Sequence, residues 1–276
     1  SIVLKVLDLE DGDARAAYRN VDMDIRQYKR IKLEVHGEAI DAVLADDDLR
    51  VFIRLGSDYK QNYYEYEVPI KLTEPGHYDN DNPTDRAMVW PEDNRIDVAL
   101  EAFQKVKQLR NDANREDPVN VTLTSQYSII DEDKLGSDGL AHNKVSITGN
   151  PNLSNIRTIM IGIRNPKANS AFSEEGDDGM PKSGEIWLNE LRLTDFDEDG
   201  GWAANARVMA KLADFGSISV AGSTSKPGFG SIEKKVSERS KEEVYQYDIS
   251  SNFELGKFFN EESGVRIPLY LGISEN

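Results

Sequence analysis

The chain has 276 residues, 38% hydrophobic and 30% charged, with no cysteine and a formal net charge of −17. This is enough chain for one large or two ordinary domains, and it is too apolar for a disordered segment. It excludes disulfide and thiolate chemistry, and so acidic a body repels phosphate backbones, which argues against nucleic acid as a partner.

The charge is unevenly placed. From Gly201 onward nine Lys and Arg stand against ten Asp and Glu, which leaves −16 for residues 1–200. Two domains are predicted on that basis, 1–199 and 200–276. No apolar run approaches the roughly 20 residues of a membrane helix. Residues 1–7 read as a strand entered in mid-protein and the last residues stop just after another, so the chain reads as a stretch cut from a longer protein.

In chain order, alternation with period two dominates. Ile31, Leu33 and Val35 alternate with Lys32, Glu34 and His36. Leu49, Val51, Ile53 and Leu55 alternate with Arg50, Phe52 and Arg54, and Tyr64, Tyr66, Val68 and Ile70 stand opposite Glu65 and Glu67. These predict strands with one face on a core and the other in water. Ile96, Leu100, Phe103, Val106 and Leu109 instead share one helical stripe, with Asn94 as N-cap and an end before Asn111. A short strand at 96–98 ahead of a shorter helix fits the same residues. Strands follow at 119–125, 144–148, 157–163 and 184–193, separated by acidic loops at 79–85, 131–139, 173–179 and 195–201. Many strands, long polar loops and one helix predict a mostly all-β fold, a sandwich in residues 1–199.

Beyond Gly201 the alternation is weaker and richer in small residues, with long antiparallel strands predicted in 203–220, 245–259 and 265–274. Strands of about 9–11 residues suit outer-membrane barrel staves as well as an additional soluble sheet.

Candidate sites are few. Asp195, Asp197 and Asp199, followed by Gly200, match the first half of a calcium loop. The position of its closing bidentate Glu is Ala206, so an acidic solvated turn is the preferred reading and no cofactor is expected. Asp79, Asp81 and Asp85 form a second oxygen cluster that Asx turns account for without metal. Tyr59, Tyr63, Tyr64 and Tyr66 lie near Asp58 and Asn62, and Tyr59 and Tyr63 are candidate stacking faces for a glycan; cross-strand pairing is the plainer account. His36, His77 and His142 occupy unrelated contexts with no nucleophile, metalloprotease or phosphate-loop frame, so no catalytic residue is assigned.

Two resemblances follow from longer stretches. Residues 20–33, with 159–163 and 184–193, resemble the opening and closing strands of galactose-binding-like jelly rolls, a likeness of fold alone. The run 184–195, then Gly201-Trp202-Ala203-Ala204-Asn205-Ala206-Arg207, Ala213-Asp214-Phe215-Gly216-Ser217, residues 227–233 and 264–268, and Trp90-Pro91-Glu92-Asp93-Asn94, resembles the SprA (Sov) family. That resemblance implies a small part of a very large outer-membrane protein of Bacteroidetes, a translocon for type IX secretion and gliding motility. It implies other subunits of that machinery and secreted cargo as partners, and a place at the outer membrane, on its surface or periplasmic side. The alternative reading is a free carbohydrate-binding or adhesive sandwich module.

Overall fold

The computed structural model describes residues 2–40, 43–168, 170, 177–196, 201–231, 239–240 and 242–275. Strand makes up 48% and helix 13%, which settles the class as all-β. The chain divides into two compact units, Ser1–Asp197 and Glu198–Asn276.

The first unit is a sandwich of two antiparallel sheets. One has four strands in the order β1 (Ile2–Leu9), β10 (Lys182–Phe196), β3 (Tyr28–Ala39) and β6 (Ile96–Ala99). The other has six, in the order β2 (Ala14–Met23), β9 (Ile156–Arg164), β4 (Arg50–Gly56), β5 (Tyr63–Pro69), β8 (Lys144–Thr148) and β7 (Tyr127–Ile130). The chain crosses repeatedly between the sheets, and the unit's first two strands pair with its last two, β1 with β10 and β2 with β9, as in a jelly roll. Alternation places Ile31, Leu33 and Val35 in the core, facing Val51, Ile53, Tyr66, Val68, Val145 and Ile147 of the larger sheet.

Several expectations are corrected. The second faces of β4 and β5 are not in water: Arg50, Phe52, Glu65 and Glu67 are all buried. The apolar stripe divides, as the alternative reading had it, into β6 and a helix α2 (Leu100–Glu116), which runs past Asn111 and buries Leu100, Phe103, Val106 and Arg110. Asn94 does not cap it. It lies fully buried in the preceding turn, where its side-chain amide accepts from Lys71 N at 2.7 Å and donates to Lys71 O at 2.8 Å.

Residues 119–125 form turns rather than a strand, because side chains take the backbone acceptors a ladder would use. Asn114 donates to Val121 O and Arg110 to Leu123 O. The expected loop at 79–85 instead ends in a helix α1 (Pro83–Val89), capped by Asn82 Oδ1 accepting from Thr84 N at 3.0 Å and started by Pro83.

The second unit is one antiparallel meander, β11 (Ala203–Leu212), β12 (Gly216–Ser225), β13 (Val244–Glu254) and β14 (Pro268–Glu275). The weakly alternating segment 203–220 takes in β11 and the first half of β12, with the reversal at Ala213, whose φ is 48°.

Candidate functional site

The outer face of the four-stranded sheet carries a cleft built on a β-bulge. The pairing of β10 with β3 slips between Asn189 and Arg192, and Glu190 sits there with φ of 54°. A non-glycine residue in that region costs about 1–3 kcal/mol, and bulges serve to re-aim side chains. Asn189 is opposite Glu34 of β3. Glu34 holds Arg95 Nε at 2.9 and 3.0 Å through its two oxygens, and Arg95 also pairs with Glu92 at 2.6 Å. The Glu34 hydrogen bond, against an opposing effect of burial, raises the Arg95 pKa above its ordinary value, so its charge is permanent.

Trp90 ends α1 and forms one wall. Behind it His36 donates from Nδ1 to Val89 O at 2.7 Å, which fastens the end of α1 to β3. Its ring lies 5.7 Å from that of Trp90 and 6.1 Å from that of Trp187. The resulting cleft has a volume of about 380 Å³ and is lined by Trp90, Asn189, three glutamates (Glu34, Glu92, Glu190), Arg86, Arg95 and Ala87.

The outer face of the six-stranded sheet carries a buried ionic layer. Arg54 reaches Glu65 at 2.6 Å and Arg164 reaches it at 3.0 Å; Arg164 also pairs with Glu67, which Lys144 meets at 2.7 Å. Both guanidiniums lie over the Phe52 ring, at 5.5 and 4.8 Å. Gly162 makes room there, since a Cβ at that position would come within 2.5 Å of the ring. Burial alone would raise the Glu65 pKa, but the charges and hydrogen bonds of Arg164 and Arg54 outweigh it and hold the carboxyl below its usual range.

The predicted site residues fall elsewhere. Tyr63 is 7% exposed, with the Arg54 guanidinium 3.8 Å above its ring, so the expected open stacking face is occupied from within. Tyr64 and Tyr66 are core residues. Tyr59 is half-buried and stacks on Tyr18 at 4.7 Å. Tyr59 and Tyr63 therefore form no shared exposed platform.

Asp195 is exposed at the end of β10 with φ of 57°, while Asp197 and Asp199 lie outside the described residues. Asp79 and Asp85 are joined by Asp79 N donating to Asp85 Oδ2 at 2.9 Å, and Asp81 N donates to Asp79 Oδ1, the self-bonding of an Asx-rich turn. Among the described residues no three His, Cys, Asp or Glu are grouped to hold a metal ion. The cleft at Trp90 went unread as a site. Its only sequence signal is Trp90-Pro91-Glu92-Asp93-Asn94, whose partners lie about a hundred residues away on β10 and about sixty away on β3.

The meander of the second unit has two unlike faces, because residues paired across antiparallel strands share a face. Val208, Val220, Ile249 and Ile273 form one row; Ala210, Ile218, Ser251 and Leu271 the next; and Leu212, Gly216, Phe253 and Leu269 a third. The opposite face carries Arg207, Ala221, Asp248 and Ser274, with Met209, Ser219, Ser250 and Gly272 beside them. On the apolar face Val208, Val220, Ile249 and Ile273 are each at least 42% exposed. Tyr245 and Tyr247 stand at one end of it, and Phe253 at the other, where Phe215 packs on Phe253 and Phe258 at 5.5 and 5.1 Å. Among the described residues no helix is long and apolar enough to cross a membrane, a statement that leaves strands untouched.

No curated protein matches the chain. A family model does, over residues 1–276: SprA_N, described as a motility related/secretion protein. With its whole length matched, this two-unit β chain belongs to the SprA_N family of motility- and secretion-related proteins.

Proposed function

We propose that the chain is a non-catalytic segment of an outer-membrane protein translocon of type IX secretion and gliding motility. In this reading β11–β14 are staves of a barrel wall, and the sandwich is an interaction domain facing other machinery subunits or passing cargo. The observation that carries the reading is the two-faced meander. Three of its strands, of 10, 10 and 11 residues, match the roughly 9–11 residues of a membrane-crossing strand, and β14 has 8. Its aliphatic face is unburied within its own unit, which wastes about 25 cal/mol for every Å² left in water unless lipid covers it. Tyr245 and Phe253 bracket that face about 27 Å apart along β13, which at a barrel tilt of about 35–45° spans roughly 19–22 Å of the apolar band of roughly 25 Å that aromatic girdles flank in such barrels.

The test is made in the intact secretion protein. Arginine at Val220 or Ile249, in the middle of the apolar face, should cost about 2–4 kcal/mol of membrane stability and deplete the protein from the outer membrane. Ser250→Arg, at the same depth on the polar face, should leave assembly and secretion intact. If all three arginines are tolerated, or only Ser250→Arg is harmful, the apolar face does not meet lipid.

A further inference from the structure

We propose that the cleft at Trp90 binds neutral sugar rings of a glycan. The Trp90 indole lines the cleft and supplies a flat apolar platform for the C–H face of a pyranose. Around it stand the planar polar groups that hydroxyls need, the Asn189 amide and the carboxylates of Glu34 and Glu190. They are held in place before any ligand arrives. Arg95 clamps Glu34 at 2.9 and 3.0 Å, and Arg192 holds Glu190 at 3.3 Å. Such preorganisation spares a ligand the ordering of flexible side chains.

Charge selects the ligand class. Glu34, Glu92 and Glu190 are paired with Arg95, Lys134 and Arg192, so the lining carries no strong net charge of its own, while the chain as a whole carries −17, which disfavours anionic sugars and phosphates. Only Trp90 and Ala87 are apolar, too little for a lipid or an apolar peptide. A neutral, hydroxyl-rich ring with one apolar face fits both conditions. The bulge supports the assignment, since Glu190 is kept at φ of 54° in a place where glycine would relax the backbone.

Affinity electrophoresis of the 276-residue chain through gels containing mannan, galactan or β-glucan, and separately alginate or polygalacturonate, tests this directly. At least one neutral polysaccharide should retard the chain and neither anionic one should. Trp90→Ala should weaken the retardation about tenfold or more, and Tyr59→Ala should leave it unchanged.

Glu190→Gly keeps the proposal testable if Trp90→Ala fails to fold. Glycine relaxes the left-handed residue, so this variant should melt higher yet bind the same polysaccharide more weakly, a combination that a purely structural bulge would not give. The proposal is overturned if no neutral polysaccharide retards the chain. It is also overturned if an anionic one does so instead, or if the retardation survives both Trp90→Ala and Glu190→Gly.

Discussion

Glu65 has no exposed side-chain surface, and two guanidiniums converge on it, Arg54 at 2.6 Å and Arg164 at 3.0 Å. Taking these ions out of water is expensive, and only mutual pairing offsets it. Removing the carboxylate charge while keeping its shape leaves Arg54 without its carboxylate and Arg164 with Glu67 alone, so Glu65→Gln should destabilise the sandwich by about 3 kcal/mol in a denaturant melt. The pH dependence follows from the lowered pKa of Glu65 in the fold. Its contribution is complete above the unfolded glutamate value of about 4.3 and disappears as pH falls through the lower folded value. The melting temperature of the native chain should therefore drop below about pH 4, and Glu65→Gln should flatten that part of the profile. A variant that melts and titrates like the native chain would mean that the ion cluster adds nothing.

At the scale of elements, alternation placed β8 and β9 almost to the residue and found the middles of β3 and β10, because their hydrophobic faces meet one continuous core. It misjudged the polar faces of β4 and β5. A period of two records that Glu65 and Glu67 point away from Tyr64 and Tyr66, but not that Arg54 and Arg164 from other strands will cover them. Val119–Ser125 failed for a related reason: its β-branched residues favour a strand, yet its carbonyls are claimed by α2. Arg110 is the chief claimant, 1% exposed, donating to Leu123 O at 3.0 Å and to Gly149 O, while burial lowers its pKa. Arg110→Leu would keep the bulk and take the donor from both carbonyls. Leu123 is exposed and water can replace its partner, but an unpaired buried acceptor such as Gly149 O costs about 1–3 kcal/mol, so the variant should lose roughly that much and exchange its 119–125 amides faster. Unchanged exchange there would show that the turn holds without the arginine.

Across the whole molecule the sequence carried more of the family than of the site. The motifs that resembled SprA run through both units, whereas the cleft depends on Trp90, Glu34 and Glu190 meeting from three separate stretches. The shift in charge at Gly201 has a physical counterpart in burial. Every residue of the hydrophobic core lies between Val6 and Leu188, and no residue of β11, β12, β13 or β14 is buried. At about 25 cal/mol per Å² such strands gain little in water against an ordering cost of about 1–2 kcal/mol per residue. A chain ending at Asp199 should therefore keep the near-UV dichroism of the sandwich and melt within about 2 °C of the full chain, a shift of about 1 kcal/mol or less for a unit of this size. In the full chain in water, β11–β14 amides should exchange far faster than those of β4 and β5, whose residues are almost all buried. If the truncated chain instead loses its cooperative melt, residues 200–276 hold part of the sandwich together. The apolar face of the meander would then have a protein partner in this same chain, and lipid would not be needed to cover it.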